Sequence, residues 1–171
     1  SVLKQIAAIN KQIQAVEPNG YMPNDLYDAR DVLVDELNSY MPISISRVPS
    51  GGNALAIAEG SLTITFKRTD GVDITLVDGK DYVRMAALDT AGNPVDGEVD
   101  NLATAGYTEF NEFAVSALGD PPAEATVTSE QKIQYNQLES SKGSLLALID
   151  SYGHSGGKGL YPEMLASLDQ L

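Results

Sequence analysis

The sequence predicts an α+β fold: a helical hairpin or bundle built from both ends of the chain, with an antiparallel β-rich domain inserted between them. Three observations predict it. Apolar residues recur at helical spacing over residues 1–41, strict alternation takes over after Met41 and Pro42, and helical spacing returns toward residue 171. The expected division is 1–42 for the first part of a helical rod, 43–125 for the inserted β-rich domain, and 126–171 for the returning part of the rod.

In the first segment Val2, Ile6, Ile9, Ile13 and Val16 recur at steps of four and three, the narrow apolar seam of a coiled-coil-like helix that needs a partner. The second segment supplies one. From Asn24 to Met41, Leu26, Leu33, Leu37 and Tyr40 hold the same heptad phase, with Ala29 and Arg30 on the missing step. Asp25, Asp28, Asp31, Asp35 and Glu36 crowd the other faces. Pro18, Asn19, Gly20 and Pro23 break the pattern between the two. Asn24 and Asp25 offer side-chain oxygens to the orphan N–H groups that open the second helix, so the unit is an αα-hairpin.

Pro42 stops the second helix. Ile43–Val48 then alternates, placing Ile43, Ile45 and Arg47 on one face. Ser61–Lys67 alternates more cleanly and is followed, across Thr69, Asp70 and Gly71, by Val72–Val77, a pair expected to form a β-hairpin around the Asp-Gly step. Tyr82–Leu88 reads as a further strand and Phe110–Val115 as a weaker one, separated by a loop-like stretch, Thr90–Asp100, with Gly92, Asn93, Pro94 and Gly97. Asp120, Pro121 and Pro122 close the β-rich part. Thr128, with Gln131 three residues on, fits a capping box for a returning helix. Ile133, Leu138, Leu145, Ile149 and Tyr152 fall near one stripe, Gly153–Gly159 forms a loop, and Pro162 opens a last helix carrying Met164, Leu165, Leu168 and Leu171.

Composition narrows the function. With no Trp and three Phe, the core must be aliphatic. The net charge of −13 repels phosphate backbones and anionic lipid heads, which argues against nucleic acid and membrane surfaces as partners. The segment 43–125 holds 13 acidic and five basic residues, so the insertion is the more acidic part. Absent cysteine removes thiolate metal sites and disulfides. No stretch of 18 apolar residues and no signal peptide is present.

Two strings, Ile9-Asn10-Lys11-Gln12-Ile13 and Pro23-Asn24-Asp25-Leu26-Tyr27-Asp28-Ala29-Arg30-Asp31-Val32-Leu33-Val34-Asp35-Glu36-Leu37, resemble the helical segment of the flagellar hook-associated protein 1 (FlgK) family. That family's pattern is an Ile-Asn-x-Gln-Ile helix, a short loop, and an Asn-Asp-Leu-x-Asp-x-Arg-Asp helix running into a β-rich insertion. The resemblance returns at Gly143–Asp150 and Tyr161–Leu171, with Ile149 where the family usually carries Arg and Tyr161 where Ile commonly precedes the Pro. It implies an internal fragment, lacking the terminal polymerisation helices, of an extracellular structural subunit of the bacterial flagellum. Such a subunit is an adaptor at the hook-filament junction, with no catalysis and no cofactor. The implied partners are the hook protein, a second hook-associated protein, the subunit's own copies and an export chaperone. The fragment itself is expected to be monomeric. Because Asp28, Arg30, Asp31 and Asp35 lie in the family's most characteristic segment, they are the candidate subunit-interface residues.

Other chemistries have weaker support in the residues. Gly153–Lys158 departs from the phosphate-loop spacing and follows a helix instead of opening one. His154 is the sole histidine, which excludes a catalytic or zinc-binding His pair. The carboxylate pairs Asp78 with Asp81, Glu98 with Asp100, and Glu109 with Glu112 could serve a hydrolase or hold calcium, but none fits the Asp-x-Asp-x-Asp-Gly loop. The alternative they leave is a secreted acidic glycan-binding or hydrolase-like domain on a helical stalk.

Overall fold

The structure, a computed structural model, describes residues 1–93, 111–134 and 137. Two helices come first: α1 (Val2–Val16) and α2 (Asn24–Tyr40), joined through a 3-10 turn at Glu17–Asn19. Two antiparallel sheets follow. One holds β1 (Ile43–Val48), β2 (Ser61–Lys67), β3 (Asp73–Asp78) and β4 (Asp81–Tyr82) in that spatial order; the other holds β5 (Met85–Leu88), β6 (Glu112–Val115) and β7 (Gln131–Gln134). The chain is thus α+β, with the helical hairpin and the β-hairpin where the residue pattern put them.

Local chemistry explains most boundaries. The Ser1 hydroxyl accepts the Lys4 N–H at 3.4 Å and caps α1. At α2 the expected cap is corrected: Asn24 lies inside the first turn, and Pro23 holds the cap position without a side-chain bond. The Pro23 carbonyl instead accepts the N–H groups of Leu26 and Tyr27, so backbone does the work assigned to Asn24 and Asp25. Between β2 and β3, Gly71 takes φ +86, a conformation that side-chain-bearing residues rarely adopt. The Asp70 carboxylate pairs with Arg68 there, which holds its carboxyl below the usual range, and also accepts the Val72 N–H at 3.2 Å.

Two further expectations change. Tyr82–Leu88 is not one strand. The chain leaves the first sheet after Tyr82 and enters the second at Met85, the switch being fixed by Val83 N–H to Leu76 O (3.0 Å) and Arg84 N–H to Ser116 Oγ (2.8 Å). The capping box at Thr128 and Gln131 also opens no helix. Thr126–Ser129 forms a turn, and Gln131–Gln134 pairs with β6, carrying the strand-rich part past the expected boundary at 125. The reason is packing: alternation puts Ile133 opposite Phe113, where both are buried. The expected helices at Gly143–Asp150 and Tyr161–Leu171, the loop with His154, and Glu98, Asp100 and Glu109 lie outside the described residues.

One core joins these layers. Val2, Leu3, Ile6 and Ala7 of α1 and Val34, Leu37 and Met41 at α2 pack on Leu62, Ile64, Phe66, Ile74, Leu76 and Val77 of the first sheet, and Phe113, Val115 and Ile133 extend the cluster into the second. Apart from two Phe and Tyr82 it is aliphatic. β1 pairs Ile43, Ile45 and Arg47 with Phe66, Ile64 and Leu62, which places all six on the helix-facing side. Phe66 is fully buried while Ile45 is 47% exposed at the sheet edge. Phe66→Ala should therefore cost about 3–5 kcal/mol in chemical denaturation, and Ile45→Ala less than about 1 kcal/mol; equal costs would refute this placement of the core.

Candidate functional site

The faces that the helices bury are only in part the ones their aliphatic residues alone suggest. In α1 the buried seam is Leu3, Ile6, Asn10 and Ile13, continued by Glu17. In α2 it is Tyr27, Arg30, Val34 and Leu37, continued by Met41. Both follow steps of three and four, and both carry polar groups where a coiled coil places apolar ones. Ile9 and Leu33 are only half-buried.

The polar members meet. Arg30, 1% exposed, donates from Nη1 to Asn10 Oδ1 (3.0 Å) and to the Gly60 carbonyl (2.7 Å), and its Nη2 reaches Glu59 at 3.4 Å. Its Nε–H has no partner in the structure, and its guanidinium lies 5.6 Å from the Tyr27 ring centre. Asn10 in turn works as an extra piece of backbone: its amide donates to Leu62 O (3.1 Å) and Gly79 O (2.9 Å), while its oxygen accepts the Leu62 N–H (3.1 Å). Glu17 accepts the Gly60 N–H (2.7 Å), the Tyr27 hydroxyl (3.0 Å) and the Ser50 hydroxyl (3.2 Å). The Tyr27 oxygen accepts the Glu59 N–H, and the Pro18 carbonyl the Asn53 N–H.

These bonds fasten residues 49–60, the strap between β1 and β2, onto the turn of the helical hairpin. Gly60 is required at its end: φ is +71, and a Cβ would stand 2.2 Å from the Val48 carbonyl oxygen. Burial pushes the Arg30 pKa down from its ordinary value, opposed by the neighbouring Glu59 charge. Burial also raises the Tyr27 pKa, with the Glu17 carboxylate adding to the effect.

The remaining candidates separate cleanly. Asp28, Asp31 and Asp35 are exposed on the outer face of α2, whereas Arg30 turns inward. Next to the acidic face, Gln5, Ala8 and Ile9 of α1 and Ala29, Val32 and Leu33 of α2 line an apolar groove of about 530 Å³. Asp78 accepts the Thr63 hydroxyl and Asp81 lies beside Lys80. Among the described residues, no three metal-ligating side chains converge, and no helix is long and apolar enough to cross a membrane.

Buried polar side chains that hold one element on another, backed by an acidic face and an apolar groove, define a structural segment built for packing. The chain belongs to the family of the flagellar hook-associated protein FlgK helical domain, whose model matches residues 1–171. It is 39% identical to flagellar hook-associated protein 1 of Bacillus subtilis over 176 aligned residues, covering 100% of this chain and 30% of that protein. It is 34% identical to flagellar hook-associated protein 1 of Salmonella typhimurium and of Salmonella typhi over 93 residues, covering 53% of this chain and 14% of theirs. The chain thus spans under a third of the relatives' length. The family is structural, not enzymatic.

Removing Arg30 leaves buried acceptors without their donor, so Arg30→Met should destabilise the chain by about 3–5 kcal/mol; denaturation of this variant beside Asp31→Ala, expected within about 0.5 kcal/mol of the parent, checks it. Tyr27 sets a pH limit. Its folded pKa lies above the ordinary 10.0, so its stabilising contribution is complete below that value and is lost as pH rises through the raised one. The denaturation midpoint should fall more steeply above pH 10 in the parent than in Tyr27→Phe, and parallel profiles would refute the role of the phenol.

Proposed function

We propose that this chain is a segment of an extracellular axial subunit of the bacterial flagellum, seated at the junction of hook and filament, where it adapts one packing to the other. The family match over the whole chain carries this reading. The proposed partners are the hook protein, a second hook-associated protein, further copies of the subunit and an export chaperone.

The geometry supports a rod made from both ends of the chain. β2 and β3 turn at Asp70, where Thr69 N–H bonds to the Gln137 carbonyl at 3.4 Å and the Gln137 amide reaches Asp70. The register Ile43↔Phe66 sets that turn beside the end of α2. The chain beyond Gln137 therefore starts from the end of the hairpin, whose helices carry an apolar groove lined in part by the small Ala8 and Ala29. The Met164, Leu165, Leu168 and Leu171 stripe is its proposed occupant, which makes 1–42 and the segment after the last strand two parts of one rod around the strand-rich part between them.

The exposed Asp28, Asp31 and Asp35 form the proposed contact with a neighbouring subunit of complementary charge, while Arg30 supports that helix from behind. Cysteine placed at 28, 31 or 35 of the full-length subunit should cross-link to a neighbouring chain in purified flagella; absence of product at all three would remove this face from the interface. The 171-residue chain alone should sediment as a monomer, and filament formation by it would refute the proposal that polymerisation needs parts of the full-length subunit other than these 171 residues.

A further inference from the structure

Charge is unevenly spread over the surface, and one stretch escapes it. Pro42–Ala58 spans 17 residues of a chain with 24 acids, yet its single charged side chain is Arg47. It builds β1 and the strap. Of the nine large hydrophobic residues exposed among the described residues, four lie here: Ile45 on the helix-facing side of β1, Val48 at the end of that strand, and Leu55 and Ile57 on the strap, with Ile57 at 75% exposure. β1 is also an edge strand, with β2 on one side only; along its other edge no hydrogen bond is made among the described residues. Arg47 itself pairs with Glu59 at 3.4 Å, so the patch is locally neutral.

We propose that the β1–strap face is where two copies of this subunit meet. The choice of occupant follows from electrostatics. Two identical chains of charge −13 repel wherever their acidic surfaces approach within about 8 Å, the screening length at physiological salt. A neutral aliphatic face is the place where such copies come into contact without opposing charge. A basic partner gains nothing there and is drawn to the Asp28, Asp31 and Asp35 face instead.

The strap is also held in advance. Glu17, Tyr27 and Arg30 fix Ser50 and the Glu59–Gly60 step, and Pro18 fixes Asn53, so Leu55 and Ile57 are displayed on a loop tied at both ends. Ordering such a loop before contact removes part of the entropic cost of association. Exposed aliphatic side chains rimmed by polar surface and an unpaired strand edge are the usual marks of a protein contact.

The inference rests on the assembly role proposed above, and its test separates the two. In the full-length subunit, Ile57→Cys and, as a control, Val72→Cys are made; Val72 is 46% exposed but sits between Asp70 and Asp73. Flagella are purified and treated with a short thiol cross-linker. A covalent dimer of the subunit at 57, at least tenfold above that at 72, is expected. Subunit present in flagella without this product, or linked at 57 to a different chain, would overturn the inference alone; subunit absent from flagella would overturn the assembly role and the inference with it. Leu55→Cys combined with Ile57→Glu should lose at least tenfold of the dimer formed by Leu55→Cys alone, with incorporation unchanged, and an undiminished dimer would also overturn it.

Discussion

A guanidinium with almost no access to solvent is the constraint on which this structure depends. Burying an unpaired charge costs several kcal/mol, so Arg30 is tolerable inside only while Asn10, the Gly60 carbonyl and Glu59 stand where they do. Those partners come from two distant parts of the chain: Asn10 from α1, and Glu59 and Gly60 from the end of the strap where it enters β2. The arginine therefore ties the angle of the helical hairpin, the approach of β2 and the path of the strap to one another. Asn10 passes the constraint on, because its amide bonds the Leu62 N–H, the Leu62 carbonyl and the Gly79 carbonyl at the end of the β2–β3 pairing, where the Gly79 N–H also reaches the Leu62 carbonyl at 3.2 Å.

Apolar packing alone would not impose this. The aliphatic cluster between helices and sheets is strong but non-directional, and a hairpin with two apolar faces could sit on the sheet in more than one rotation. The face that won is the one with Asn10, Glu17, Tyr27 and Arg30, since only that rotation satisfies all four. The flank with Ile9, Val32 and Leu33 is left as a groove, with Leu33 also packed against the core. The polar groups thus select the rotation, and the apolar ones supply most of the energy.

That division explains what the sequence disclosed and what it hid. Alternation and a glycine at the turn made β2 and β3 legible almost to the residue, because a strand with one buried face writes its register into its side chains. The helices were legible as helices, but their buried faces only in part: Val2, Ile6, Ile13 and Leu37 are buried as the spacing predicts, whereas Ile9 and Val16 are only half-buried. Scoring aliphatic residues alone favours Ile9 and Val16 over Asn10 and Glu17, whereas the seam through Leu3, Asn10 and Glu17 has the same spacing with polar residues at two positions. The signal was the spacing itself: Leu3, Ile6, Asn10, Ile13 and Glu17 on one helix, Tyr27, Arg30, Val34, Leu37 and Met41 on the other, each a complete series of threes and fours. Two matched series, one offering an amide and a carboxylate and the other a phenol and a guanidinium, are a buried network written in sequence. β7 was misjudged for the reverse reason, since Thr128 and Gln131 satisfy a local helix-start rule that the distant partner Phe113 overrides.

The same residues divide the molecule's outside. Because Arg30 is spent internally, α2 shows solvent Asp25, Asp28, Asp31, Asp35 and Glu36 with no cation of its own to offset them. Because Glu17 and Glu59 are engaged by the clasp and by Arg47, the strap and β1 lose the negative character of the rest of the chain. One buried cluster thus makes one face more acidic and another nearly neutral. A surface of uniform charge offers neighbours no preferred orientation, whereas acidic, neutral and apolar patches on one surface give each kind of neighbour a place where it fits. In a segment of a structural family, the interior clasp and the pattern of outer contacts are therefore consequences of the same few side chains.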